Sequence, residues 1–376
     1  MRLVYWGTYD KKRERYRILI EAFRQNDIDI LECHEDVWKG IRDKSTVLSW
    51  RSRFRIFTKH IISYLKLIHR YILLPNHDAV FVGYLGHLDV LVLWPFARLR
   101  RKPIIWDAII SIYITTIYDR KMISVFHPLA RLIFLWEYLS CHLSDRVLLP
   151  SDIRAKKFAI RYRLPEGRAR GVFLGAEPLL FPPRKSASRM RLDDKDDISV
   201  LFYGQFIPMH GVDTIIYAAR LMENQPIRWV IIGSGQVETK IEKLLNEKPL
   251  PRLKWIPWVA YNELSGWINR ADVCLGIFGD SEKAVTSIPN KVFQILSTGT
   301  PLITRDSPAI REILTPTMPG VYLVPPNNPA AIAEAINRFK SDRQFLSQVD
   351  LHSKVKRAFQ PDAIGREIVR LIRECL

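Results

Sequence analysis

Twice along this chain an apolar run ending in glycine gives way to a polar loop, then to a helix-period stretch, then to another apolar run. The first instance is Arg2-Leu3-Val4-Tyr5-Trp6-Gly7, a loop from Thr8 to Lys12, a helical pattern through Ile18, Leu19, Ala22 and Phe23, and a strand over residues 28–33. Such alternation favours parallel sheets covered by helices, because parallel neighbours must be joined by a crossover and a helix supplies it. Strands are further predicted over residues 79–83, 103–106, 147–150 and 171–174, with helices over 88–98 and 130–142. The pattern breaks at Pro182-Pro183-Arg184-Lys185-Ser186 and the acidic run Asp193-Asp194-Lys195-Asp196-Asp197, which is linker composition. It then restarts with strands over 198–203, 229–232, 253–256, 273–277 and 301–304, and helices over 214–222, 237–245 and 330–339.

The sequence therefore predicts two tandem α/β domains, residues 1–180 and 198–358, joined by a linker over 181–197 and followed by a last helix within 359–376. A chain of 376 residues is long enough for two separate cores, and 48% hydrophobic with 26% charged residues excludes global disorder. The net charge of +18 is uneven: residues 1–180 hold 31 Lys+Arg against 18 Asp+Glu, and residues 181–376 hold 26 against 21. A basic first half suits an anionic membrane, an acidic substrate or nucleic acid. Within it, Arg51, Arg55, Lys59, Lys66 and Arg70 recur at helical spacing beside Ile61, Ile62, Leu65 and Ile68, a basic amphipathic helix over 51–75 that fits a membrane surface or a solvated face. No apolar run is long enough to span a bilayer, and no charged-then-apolar leader precedes the first strand, so a cytoplasmic protein is expected. Cys33, Cys141, Cys274 and Cys375 stand far apart, which indicates neither a zinc site nor a disulfide framework.

The richest stretch chemically is Ser287-Ile288-Pro289-Asn290-Lys291, then Val292 to Thr298, closed by Gly299-Thr300-Pro301. Ser287 is placed as N-cap, Pro289 in the first turn and Gly299 at the stop, which predicts a short helix. A helix N-terminus offers free amides and a partial positive charge, so with Lys291 beside it the stretch is suited to phosphate. Lys283 lies close by in sequence, and Gly204, His210 and Gly211 mark a loop at the carboxyl end of a strand, where open α/β sheets bind ligands. Gly233-Ser234-Gly235 also follows a strand, but Glu238 occupies the place of a third dinucleotide-type glycine. The acidic pairs Asp27/Asp29 and Asp194/Asp196 read as solvated charges, and no metal site is predicted.

The succession from Phe202 to Asp213, with Val230 to Gly235, Ile288 to Lys291 and Gly299 to Thr304, resembles the donor domain of retaining glycosyltransferases of family four, the group 1 glycosyltransferases. The resemblance covers residues 198–340 and extends weakly to the first half through Gly7, Asp107 and Glu177. It implies the GT-B fold, two Rossmann-like α/β/α domains facing across a cleft, with the last helix returning to the first domain. It implies donor binding by Gly204, Gln205, His210, Gly233, Lys283, Pro289, Asn290, Lys291 and Gln294, an acceptor-side loop at Gly7, and catalytic positions at Asp107, His210 and Lys291. Where the family has a basic pair on its donor loop this chain has Gln205 and His210, and where it has two glutamates this chain has Thr286 and Gln294.

The expected activity is transfer of a sugar, with retention, from a nucleoside-diphosphate sugar to a saccharide or lipid-linked saccharide in cell-surface polysaccharide or glycoconjugate synthesis. Neither a metal nor a cofactor is expected, and the basic first domain is expected to contact an anionic membrane from the inner face. A catalytically silent sugar-nucleotide or glycan-binding protein is the alternative, and no nucleic-acid module is recognisable.

Overall fold

A computed structural model of the chain describes residues 1–37, 50–184 and 197–376, with side chains omitted for 50–57. The side chains of Arg51 and Arg55, most of the expected linker and the Asp194/Asp196 pair therefore lie outside what is described. The chain divides into two units, Met1–Tyr113 with Ile123–Phe173 and Pro361–Leu376, and Ile114–Met122 with Leu174–Gln360. The second unit thus takes up its chain at Leu174, ahead of the expected linker, and includes a π-helical segment, Ile114–Asp119, from the middle of the first half.

The first unit runs β1 (Arg2–Gly7), α1 (Glu14–Gln25), β2 (Asp29–His34), α2 (Trp50–Leu73), β3 (Ala79–Val82), α3 (His87–Leu99), β4 (Ile104–Asp107), α4 (Pro128–Leu143), β5 (Arg146–Leu149), α5 (Asp152–Tyr162) and β6 (Ala169–Gly171). Its strands form one parallel sheet in the order β2-β1-β3-β4-β5-β6. Trp6, Val82 and Trp106 stand opposite one another on β1, β3 and β4 and are fully buried under residues of α2, α3 and α5. Burying each such side chain contributes about 1.5–3 kcal/mol.

The second unit runs β7 (Ile198–Tyr203), α6 (Val212–Leu221), β8 (Ile227–Ile232), α7 (Glu238–Glu247), β9 (Leu253–Ile256), α8 (Leu264–Arg270), β10 (Val273–Leu275), α9 (Glu282–Thr286), α10 (Asn290–Thr298), β11 (Leu302–Arg305), β12 (Val321–Val324), α11 (Pro329–Ser347) and α12 (Ser353–Lys356). Its parallel sheet has the order β12-β11-β10-β7-β8-β9. The chain then returns to the first unit with α13 (Pro361–Arg373), whose Ile364, Ile368, Leu371 and Ile372 repeat at helical spacing and pack on Leu19, Ala22 and Phe23 of α1. Asn26 Nδ2 donates to the Asp362 carbonyl at 3.1 Å and pins the entry to that helix.

Each sheet reverses its winding once, between β1 and β3 in the first unit and between β7 and β10 in the second. At such a reversal the loops leaving neighbouring strands diverge, so a crevice opens at their carboxyl ends.

Candidate functional site

At the β7/β10 reversal the loops over residues 204–211 and 276–280 leave the sheet side by side. They are joined by Phe278 N–H donating to the His210 carbonyl at 3.1 Å and Gly279 N–H donating to Met209 at 3.2 Å. Lys291, in the first turn of α10, sends its ammonium into this junction. Nζ donates to the Gly276 carbonyl at 3.4 Å and lies 3.9 Å from the centre of the Phe202 ring. Gly204 leaves room for it: φ is +140° there, and a β-carbon would stand 2.9 Å from Nζ. Burial pushes the Lys291 pKa well below its ordinary value.

His210 is also buried, and its Nδ1 donates to the Gln205 carbonyl. Burial first, then the positive charge of Lys291, hold its pKa well below the usual imidazole range, so the ring is neutral. His210, which stands where the family has a lysine, adds no second positive charge beside Lys291 in the unliganded protein. Gln205 acts through its carbonyl while the residue itself is exposed.

The helix expected from Ser287 begins three residues later. Pro289 is the N-cap residue of α10, and it has no side-chain cap to offer the first turn. Ser287 instead follows the last turn of α9, so Pro289 stands outside the helix rather than in its first turn. Gly299 ends α10 in the left-handed conformation, as its position in the sequence predicts. Asn290 Oδ1 is buried with no hydrogen-bond partner among the described residues, an acceptor open to a ligand hydroxyl.

Two expected donor-site residues are already engaged. Lys283 Nζ pairs with Asp119 Oδ2 at 3.3 Å, and Ser281 Oγ donates to Asp119 Oδ1 at 3.0 Å, so the π-helical segment brings its own anion to that lysine. Gln294 Oε1 accepts from Tyr203 at 2.9 Å, its Nε2 donates to the Tyr261 hydroxyl at 3.4 Å, and Tyr261 donates to Glu177 at 2.8 Å. Both ends of the Gln294 amide thus have partners within the second unit. Thr286 donates back to the Glu282 carbonyl at 2.9 Å and completes α9. Gly233 lies at the end of β8, where its carbonyl accepts from Trp255 Nε1 at 2.8 Å.

In the first unit Asp107 ends β4, buried, and accepts from Arg15 Nε at 3.0 Å and Nη2 at 2.9 Å. Arg15 Nη1 continues to the Phe173 carbonyl at 2.7 Å. This carboxylate, at a position the resemblance marks as catalytic, is held in a buried bidentate pair. Gly7 has φ +131°, and a β-carbon there would stand 2.9 Å from Asp89 Oδ2. Asp89, which sequence reasoning missed, accepts from Thr8 N–H at 3.1 Å and from the Tyr64 hydroxyl at 2.9 Å, at the β1/β3 reversal. Burial raises its pKa to about 7 despite those hydrogen bonds. Its one sequence signal was an acid in the first turn of a helix.

Among the described residues no group of three or more His, Cys, Asp or Glu side chains is placed to hold a metal ion, and no helix is long and apolar enough to cross a membrane. What the β7/β10 junction offers is a buried cation, first-turn helix amides and an unused acceptor, which together suit an anion bearing hydroxyls.

The two parallel sheets and their strand orders define a protein of the GT-B class. Residues 197–342, within the second half of the chain, match the family Glycosyl transferases group 1. The putative colanic acid biosynthesis glycosyl transferase WcaI of Escherichia coli K12 is 25% identical over 186 residues, which are 49% of this chain and 44% of that protein. The aligned stretch is thus less than half of that relative's length. Among solved structures, sucrose-phosphate synthase from Thermosynechococcus elongatus superposes with a TM-score of 0.72 at 17% identity, covering 99% of this chain and 98% of the other. Anabaena HepE in complex with UDP and glucose gives 0.68 at 11% identity, with both chains fully covered.

Proposed function

We propose that this chain transfers a sugar from a nucleoside-diphosphate sugar to a saccharide or lipid-linked saccharide acceptor, in the synthesis of a cell-surface polysaccharide or glycoconjugate. The observation that carries this reading is the Lys291 ammonium, buried at the β7/β10 reversal of a group 1 glycosyltransferase domain beside the start of α10. Lys291 and the first-turn amides hold the diphosphate and stabilise it as it leaves, and Asn290 Oδ1 accepts from a hydroxyl of the ligand. A cation and oriented amides do this without a metal ion, and no further cofactor is required.

The transfer proceeds with retention through an oxocarbenium-like state, in which leaving-group stabilisation matters more than a strong base. Asp107 supports the reaction as a positioning residue, since Arg15 holds its carboxylate. The Gly7–Thr8 turn with Asp89 forms the acceptor-side loop. The basic first unit contacts an anionic membrane from the cytoplasmic side.

Donor-dependent release of nucleoside diphosphate, followed across a set of nucleotide sugars with and without chelator, tests the reading. Turnover that survives chelation, with the anomeric configuration kept by NMR, supports it. Tight nucleotide binding with neither hydrolysis nor transfer of any donor would instead mean a silent binding protein.

A further inference from the structure

Helix α4 is built inside out. Its buried face carries Ala130, Glu137, Ser140 and Cys141, while Leu129, Leu132, Leu135 and Leu139 are 41–61% exposed. At 100° per residue these four leucines fall within one arc, so they form a single outward stripe. Phe126, just ahead of the helix, is 86% exposed.

The inward polarity is satisfied locally. Glu137 accepts from Ser111 Oγ at 2.6 Å, Tyr162 at 2.5 Å and the Ile112 N–H at 3.0 Å, and pairs with His87 Nε2 at 3.0 Å. The register of α4 is therefore locked by a buried carboxylate, and the leucines cannot be turned inward without breaking those bonds. A leucine stripe held outward in this way is an unpartnered surface awaiting a covering phase.

Charge says which one. Over residues 58–113 and 123–173 of the first unit there are sixteen Lys+Arg and seven Asp+Glu, and three of the seven acids, Asp89, Asp107 and Glu137, are buried. Arg131 is exposed on α4 itself, Lys156 and Lys157 are exposed on α5 with Arg163 just past its end, and α5, whose one acid is Asp152 at its start, meets α4 through Tyr162. A second copy docked about a two-fold axis would set this basic rim against itself, because such an interface pairs a patch with the same patch. An anionic bilayer surface matches both the leucines and the rim.

We infer that α4, with Phe126, is the element by which the first unit inserts into the headgroup boundary of an anionic membrane. This assigns a surface to the membrane contact proposed above and does not depend on the transferase reading. It also moves the contact from α2, where the sequence placed it, to a helix whose sequence gave no such sign.

The test is flotation of the full chain with phosphatidylglycerol/phosphatidylcholine vesicles and with phosphatidylcholine alone. Binding to the mixed vesicles is expected to fall by about tenfold or more in Leu132→Glu/Leu135→Glu. It should fall little in Ile61→Glu/Leu65→Glu on α2, with donor hydrolysis unchanged in both. Loss of binding only in the α2 variant overturns the assignment, and so does a dimer seen by light scattering that the α4 variant dissociates. Should the glutamate variant fail to fold, Leu135→Trp gives a second reading: a blue-shifted emission on adding mixed vesicles supports insertion, and an unshifted one overturns it.

Discussion

The Lys291 ammonium rests 3.9 Å from the centre of the Phe202 ring and 5.9 Å from that of Tyr203, deep in the second unit, and donates to the Gly276 carbonyl at 3.4 Å. A ring face and a carbonyl dipole compensate a buried cation only partly, which leaves the site short of negative charge. An incoming diphosphate supplies it. Lys291→Met keeps the volume and removes the charge, so affinity for the best nucleoside diphosphate should drop about 10- to 100-fold, the worth of one or two charge-assisted hydrogen bonds. Thermal stability of the unliganded protein should hold or rise, because a buried charge has gone. Isothermal calorimetry and a melting curve on the same sample check both halves, and unchanged affinity would remove the central claim.

Nucleotide binding should also take up protons. Burial holds Lys291 and His210 below their ordinary pKa values in the free protein, and His210 is lowered further by the Lys291 charge. Bringing in phosphate raises both, since a nearby anion favours the protonated form. Affinity should therefore fall as pH rises. Calorimetry in buffers of different ionisation enthalpy measures the proton count directly, and zero uptake at every pH tried contradicts the lowered pKa values of both groups.

How much of this could be read from the sequence depends on distance along the chain. The sheet alternation, the stop at Gly299 and the loop around Gly204 were legible because periodicity, cap chemistry and glycine spacing are local signals. Lys283 was not, because its partner Asp119 lies 164 residues away on a segment with no pattern of its own. Nor was the engagement of Gln294, whose two tyrosines come from 91 and 33 residues off. Ser287 misled for a related reason: it is a good cap by type, but the short α9 ends there and leaves the opening of α10 to Pro289.

Asp107 is a strand-end carboxylate held by Arg15, so its contribution to the fold can be measured apart from any contribution to the reaction. Removing one partner of its buried pair with Arg15 leaves an uncompensated charge, which costs about 3–5 kcal/mol. Asp107→Asn and Arg15→Met should each lower the urea midpoint. The double variant should lose less than the sum of the two, because the residues share one interaction. A normal unfolding midpoint in Asp107→Asn, with turnover abolished, would restore a direct catalytic role.

Asp89 offers the opposite case, a buried carboxyl with hydroxyl and amide donors. Its pKa is raised to about 7 by burial, so between the ordinary carboxylate range and neutrality the folded state keeps a proton that the unfolded chain has released. Over that window the folded protein binds more protons than the unfolded, and this residue's contribution to stability declines as pH rises, by at most about 1.4 kcal/mol per pH unit. The contribution is fully present below the unfolded pKa and lost once pH passes the folded one. Asp89→Asn cannot ionise, so its stability relative to the parent should improve steadily from pH 4 to pH 7 and level off above about 7. Tyr64→Phe removes a donor that favours the ionised form and should push the same transition to higher pH. Urea unfolding of the three proteins across that range measures the shift. A stability difference between Asp89→Asn and parent that is flat with pH would mean that the Thr8 and Tyr64 hydrogen bonds, rather than burial, set the charge of this carboxyl beside the Gly7 turn.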